Sequence, residues 1–173
     1  ADAVEAIFAT AFLGAVCVLM NSRFATRELR HVLEDSRVDA VVVSGMRNNR
    51  VDFERQLREA LPEDSKLPVF VLGRSSDFGF LELSDDRAAH SDALRDRMST
   101  SRSRVALRSP AIMIYTSGTT SLPKGCVISH EALVRLGTEI GRTRLALGAM
   151  DRIWAPLPVF HIGFFIPDRG EVD

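Results

Sequence analysis

Apolar residues in the first 73 positions alternate between helical spacing and short continuous runs. Val4, Ile7 and Ala11 recur at helical spacing, and Gly14 breaks this pattern before the apolar run "AVCVLM" (15–20). The first spacing predicts a buried helix, and the run that follows predicts a buried strand.

The same alternation continues further along. "ATRELRHVLEDS" (25–36) predicts an amphipathic helix with Thr26 as its N-cap, and "NRVDFERQLREALP" (49–62) predicts a second helix that ends at its proline. "DAVVVS" (39–44) and "LPVFVLG" (67–73) predict strands, the first of them covered on both faces. Alternating strands and helices favour an α/β fold with a mostly parallel sheet and covering helices.

Residues 74–108 are polar and mixed in charge, which predicts an exposed helix and loop that connect two parts of the fold. Beyond them, "AIMIYTSG" (111–118) and "GCVISH" (125–130) predict two strands. Ser129 is placed to cap a helix from His130 to about Leu147. A further strand and turn are expected in "RIWAPLPVFHIGFF", residues 152–165. We therefore expect one incomplete domain over 1–173, with regions 1–73, 74–108 and 109–173.

The composition argues against one class of function. The chain has 173 residues, of which 46% are hydrophobic, and a formal net charge of −1. Because the charge is close to zero, the chain lacks the basic character expected of a nucleic-acid-binding protein. Cys17 and Cys126 lack metal-type spacing and predict reduced thiols, which favours the cytoplasm. The apolar stretch 6–20 is too short to span a bilayer, and Asp2 and Glu5 stand where a signal peptide needs positive charge.

Both ends of the chain favour a fragment of a longer protein. The sequence starts inside an apolar helix without methionine, and it ends in "IPDRGEVD" directly after an apolar run. The expectation is that these residues do not complete a catalytic site by themselves.

The chemistry concentrates in "IYTSGTTSLPKG" (114–125). Gly118 lets successive backbone N–H groups converge, the hydroxyls add uncharged donors, and Lys124 supplies a point charge suited to a phosphate oxygen. The composition alone leaves an ordinary surface turn as an equal alternative. The pattern is not a P-loop, because Pro123 stands where that motif requires its second glycine and Gly125 follows the lysine.

"YTSGTTSLPKGCVISH" (115–130) closely resembles the phosphate-binding loop of the adenylate-forming superfamily, which comprises acyl- and aryl-CoA synthetases, peptide-synthetase adenylation domains and luciferases. Ser121 and Cys126 depart from the residues usual there, glycine and valine. The resemblance extends upstream through the pair Glu28-Leu29 and downstream through "APLPVFHIG" (155–163). It implies the large N-terminal domain of an adenylate-forming enzyme.

The resemblance also implies a reaction and its site. A carboxylate attacks ATP to give an acyl-adenylate and pyrophosphate, and CoA then displaces AMP, with Mg²⁺ bound through the phosphates. The residues implied to hold the β- and γ-phosphates are Thr116, Ser117, Gly118, Thr119, Thr120, Ser121 and Lys124. His161 is implied to lie near the reacting carboxylate, and no protein metal ligand is predicted. Phe160 either lines the acyl pocket or packs in the core.

Two alternatives stay open. A truncated or inactive relative would bind nucleotide phosphate at most, and a peptide-synthetase adenylation domain would pass the acyl group to a carrier-protein thiol. The family's adenine-binding, ribose-binding and Mg²⁺-binding segments and its C-terminal lysine have no match within these residues. The identity of the acid and the oligomeric state are not encoded in any pattern found.

Overall fold

The structure is a computed structural model, and it describes residues 2–45, 47–48, 51–73, 77–83, 92–116, 122–148, 150–152 and 158–161. Its helices are α1 (Asp2–Leu13), α2 (Thr26–Ser36), α3 (Phe53–Ala60), α4 (Asp92–Ser103) and α5 (His130–Glu139), the last continued by a π-helical turn (Ile140–Arg144). Its strands are β1 (Cys17–Leu19), β2 (Val41–Ser44), β3 (Arg47–Asn48), β4 (Val51–Asp52), β5 (Val69–Leu72), β6 (Leu81–Leu83), β7 (Pro110–Thr116) and β8 (Lys124–Ser129).

The chain divides into two compact units. Unit 1 comprises Ala1–Asn21, Arg95–Tyr115 and Cys126–Asp173, and unit 2 comprises Ser22–Leu94 and Thr116–Gly125. Each unit has its own three-stranded sheet, and each is described separately below.

Unit 1 is built on the sheet β1-β7-β8, in which β1 and β7 run parallel with Cys17 opposite Ile112 and Leu19 opposite Ile114. Its buried core joins α1 to this sheet. The members of that core are Ile7, Leu19, Ile112 and Ile114, with the partly buried Cys17, Ile128, Leu133, Val159 and Phe160 packed against them. Burial of these side chains is the main stabilising contribution to the unit.

Gly14 ends α1 as the sequence predicts. Its φ is +74°, a left-handed conformation, and its N–H donates to the Ala11 carbonyl at 3.2 Å. A Cβ at this position would lie 3.2 Å from Cγ2 of Val105, so a larger residue would add crowding to backbone strain.

Unit 2 is built on the parallel sheet β2-β5-β6, with Val41 opposite Val69 and Phe70 opposite Leu81. Helices α2 and α3 pack on each other, and α3 contacts β2. The side chains that this arrangement buries are Leu29, Val32 and Leu33 of α2, Leu57 and Ala60 of α3, Val41 of β2, and Val69 and Val71 of β5. The predicted α/β fold with mostly parallel sheets is therefore confirmed.

Several local predictions were wrong. Ala25, not Thr26, is the N-cap of α2, and its N–H donates to the Glu28 carboxylate at 2.9 Å. Val51 was predicted in a helix but lies in β4, which pairs antiparallel with β3, because Asp52 caps α3 by accepting from the Arg55 N–H at 3.1 Å.

Three further differences concern strands and a helix end. Val42 is 47% exposed, so β2 is not covered on both faces as predicted. The connector 74–108 contains the predicted exposed helix, α4, and also the unpredicted strand β6. Helix α5 ends before Leu147, because it is followed by a π-helical turn. In that turn the Leu145 N–H donates to the Ile140 carbonyl at 3.0 Å.

Within the described ranges, no helix is both long and apolar enough to cross a membrane.

Candidate functional site

Thr116 is the last residue of β7 and lies exposed, whereas the preceding Ile114 and Tyr115 are buried. The strand therefore emerges from the core at the point where the hydroxyl-rich segment begins. This abrupt change in burial places the Thr116 hydroxyl where a ligand in solvent can reach it.

Lys124 is the first residue of β8, the neighbour of β7 in the sheet, and it is exposed directly after the buried Pro123. In the part of the chain that the structure describes, no carboxylate pairs with its ammonium group. An accessible ammonium of this kind can interact with a phosphate oxygen.

The segment between Thr116 and Lys124 carries the other predicted phosphate ligands. Ser117, Gly118, Thr119, Thr120 and Ser121 lie outside the described residues, so their roles stay predictions.

His161 lies at the end of a turn in unit 1 and is exposed. Its backbone N–H donates to the Pro158 carbonyl at 2.9 Å. Val159 and Phe160, which precede it, pack against the core of the unit. The core alternative for Phe160 thus has a direct structural basis, while the role predicted for His161 stays a prediction.

No sequence pattern points to His31, yet it contacts the predicted loop. Its Nε2 lies 2.9 Å from the carbonyl oxygen of Pro123, the residue before Lys124. The two residues are 92 positions apart, so neither helical spacing nor a local motif could have revealed the contact.

The cavity described for unit 2 lies apart from the predicted site residues that the structure describes. Unit 2 contains an open cavity of about 320 Å³ bordered by Arg58, Lys66, Phe78 and Phe80, and no predicted site residue lines it. Among the described residues, no group of three or more His, Cys, Asp or Glu side chains is placed to hold a metal ion. Thr116 and Lys124 offer a hydroxyl and an ammonium, which suit phosphate oxygens rather than a cation.

Comparison with known proteins identifies the family. The family model described as AMP-binding enzyme matches residues 1–167. The chain belongs to this family. The predicted resemblance to adenylate-forming enzymes is confirmed.

Individual relatives match most of the chain. A crotonobetaine/carnitine–CoA ligase of Citrobacter koseri is 29% identical over 160 residues, which cover 90% of this chain and 28% of the relative. A long-chain fatty acid transport protein 5 of Mus musculus is 28% identical over 164 residues, covering 92% of this chain and 22% of the relative.

A solved structure shows the same fold. A long-chain-fatty-acid-CoA ligase from Archaeoglobus fulgidus superposes with a TM-score of 0.64 at 24% identity, covering 95% of this chain and 30% of that chain. The chain thus spans about a quarter of the length of the curated relatives it matches.

Proposed function

We propose that this chain is the phosphate-binding part of an ATP-dependent acid–thiol ligase. An oxygen of the substrate carboxylate forms a bond to the α-phosphorus of ATP while the bond to the bridging oxygen breaks, which releases pyrophosphate and leaves an acyl-adenylate. The thiol of CoA then attacks the acyl carbon, loses its proton, and expels AMP. Membership of the AMP-binding enzyme family supports the first half-reaction.

The observation that carries the proposal is the exposed pair of residues at the ends of the loop. Thr116 at the end of β7 and Lys124 at the start of β8 border a segment rich in hydroxyls and glycine. In this proposal the loop hydroxyls and N–H groups of residues 117–121 donate to the β- and γ-phosphates, and Lys124 compensates charge as pyrophosphate leaves.

His161 completes the proposed set as a hydrogen-bond donor to the carboxylate or to the adenylate. The basis is the similarity of "PVFHIG" (158–163) to the family segment. His161 is exposed, so a bound substrate can contact it.

CoA as the acceptor, Mg²⁺ and a cytoplasmic location belong to the same proposal. The names of the Citrobacter relative and the Archaeoglobus neighbour are those of CoA ligases, which favours CoA over a carrier-protein thiol. Mg²⁺ would be bound through the ATP phosphates. Cys17 and Cys126 are both free, which is typical of a reducing compartment.

Carboxylate-dependent exchange of labelled pyrophosphate into ATP, measured with the complete gene product, tests the proposal. Lys124→Ala should lower kcat/KM for ATP about ten- to a hundredfold, because a hydrogen bond to a charged group contributes roughly 1.5–3 kcal/mol. Lys66→Ala is a matched control, since Lys66 is exposed in the same unit and is the other lysine of the sequence. Equal exchange by the Lys124→Ala variant and the wild type would refute the role of the loop.

A second readout does not depend on catalysis. ATP should protect Lys124, but not Lys66, from acylation by a lysine-selective reagent, as measured by peptide mass spectrometry. Unchanged acylation of Lys124 at saturating ATP would contradict phosphate binding at this loop.

A further inference from the structure

Helix α2 contacts the residue before Lys124 through one side chain. Nε2 of His31 lies 2.9 Å from the carbonyl oxygen of Pro123. A carbonyl oxygen can only accept a hydrogen bond, so the ring nitrogen is the donor. Pro123 has no N–H, and its carbonyl is therefore the one backbone group through which this buried residue can be held.

The helix that carries His31 is itself firmly attached within unit 2. Leu29, Val32 and Leu33 of α2 are buried. Arg30 donates from Nε to the Ala60 carbonyl at 3.0 Å and from Nη2 to the Glu59 carbonyl at 3.1 Å, which joins α2 to the C-terminal end of α3. His31 thus extends from a fixed support rather than from a mobile segment.

The carbonyl that His31 binds belongs to the peptide group that leads into Lys124. The six atoms from Cα of Pro123 to Cα of Lys124 lie close to one plane. Holding the oxygen therefore also orients the N–H and Cα of Lys124, and the Pro123 ring fixes the φ angle that precedes this carbonyl. The hydrogen bond from His31 thus helps to fix the peptide group from which the Lys124 side chain starts, at the point where β8 begins.

We propose that His31 is a positioning residue for phosphate binding: it fixes the Pro123–Lys124 peptide so that the Lys124 ammonium is presented to the phosphates of ATP. This assignment rests on the proposed function, since it presumes that Lys124 binds phosphate. It adds a residue of helix α2, 92 positions away in sequence, to the residues proposed for phosphate binding.

Two variants at position 31 separate positioning from general stability. His31→Phe keeps a ring of similar size but removes the donor, whereas His31→Gln retains a side-chain N–H at about the reach of Nε2. Loss of one ordinary hydrogen bond corresponds to a change of roughly three- to tenfold. We expect His31→Phe to raise the KM for ATP by this factor in the exchange assay and to leave the KM for the carboxylate unchanged. We expect His31→Gln to restore most of the affinity for ATP.

Limited digestion with a lysine-specific endoprotease supplies a readout that needs no activity. The sequence contains two lysines, both exposed, so cleavage after Lys66 is an internal reference for cleavage after Lys124. Releasing the Pro123 carbonyl loosens the start of β8, and cleavage in a locally opened segment follows the population of the open form. His31→Phe should raise the Lys124/Lys66 cleavage ratio about three- to tenfold, and His31→Gln should not.

The outcomes decide separately on the two proposals. The positioning role would be overturned if His31→Phe and His31→Gln gave the same KM for ATP and the same cleavage ratio. It would also be overturned if the variants lowered only the melting temperature and left the KM for ATP and the cleavage ratio unchanged. Absence of exchange by the wild type would overturn the proposed function, while the cleavage ratio would still decide whether His31 holds the loop.

Discussion

The two cysteines show how position along the fold changes the chemistry of one residue type. Cys17 lies in β1 against the core of unit 1, and burial raises the pKa of its thiol above the usual 9.0, although a hydrogen bond with Thr10 partly lowers it. Cys126 lies exposed in β8. The thiolate is the nucleophilic form, so the two residues should differ in reactivity.

We expect iodoacetamide at pH 8 to alkylate Cys126 at least about tenfold faster than Cys17, since Cys17 is less accessible and burial raises the pKa of its own thiol. Because its folded-state pKa is raised, the thiolate fraction of Cys17 stays small until the pH exceeds its usual range. Mass spectrometry of the two cysteine peptides over time measures the ratio. The same chain in denaturant is the control, and equal rates in the native protein would contradict the burial of Cys17.

A single hydroxyl defines the start of helix α5. Ser129 accepts from the Ala132 N–H at 3.2 Å, as an N-cap should, and this prediction from the sequence is confirmed. The cap satisfies one of the N–H groups that a helix start leaves without an intrahelical partner.

We therefore expect Ser129→Ala to lower the free energy of unfolding by about 1 kcal/mol and Ser129→Asp to lower it much less, because aspartate caps as well as serine does. Urea titration followed by circular dichroism measures the difference. Ser103→Ala is the matched control: the Ser103 hydroxyl donates to the Thr100 carbonyl on the exposed end of α4, where its loss removes no cap. A loss at Ser103 as large as that at Ser129 would argue against the capping role.

Local sequence signals located most helices and strands, but only some of their boundaries. The Gly14 stop and the Ser129 cap were predicted because each depends on one residue and its immediate neighbours. The start of α3 was missed because Val51 was grouped with Phe53 and Leu57, although it lies two positions before Phe53, which is not helical spacing. The cap formed by Asp52 decides where the helix begins.

The site was predictable as far as its chemistry is local. The residues that favour phosphate binding are contiguous in sequence, so Thr116 and Lys124 could be proposed from their motif. His31 could not, since its contact with Pro123 depends on how α2 packs within unit 2. Contacts between distant segments are set by tertiary packing, which a single sequence does not display.

At the scale of the whole molecule, the alternation of strands and helices predicted parallel pairing but not which strands pair. β1 pairs with β7, more than ninety positions later, rather than with β2. β2 instead pairs with β5, so the early strands divide between two sheets. The central strand of each sheet, β7 and β5, carries its most deeply buried side chains: Ala111 and Ile112 are each 1% exposed, and Val71 is fully buried.

This arrangement predicts two separate regions of slow amide hydrogen exchange along the chain. Backbone groups of a central strand are paired on both sides and exchange only when the sheet opens, whereas an edge strand has one free side. Hydrogen exchange followed by mass spectrometry should show the strongest protection in peptides from β5 and β7, and much weaker protection in the edge strands β6 and β8, whose residues are mostly exposed.

Substitutions in the two central strands test whether side-chain burial is the cause. Val71→Ala should speed exchange in β2 and β5, and Ile112→Ala should speed exchange in β1 and β7. Each substitution removes buried methyl groups and leaves a cavity, which lowers the free energy of unfolding by about 2–5 kcal/mol for isoleucine and somewhat less for valine. Val42→Ala is the control, since Val42 lies in β2 but is 47% exposed. Faster exchange after Val42→Ala than after Val71→Ala, or equal protection of central and edge strands in the unaltered chain, would show that the buried residues of β5 and β7 do not stabilise the sheets to which they belong.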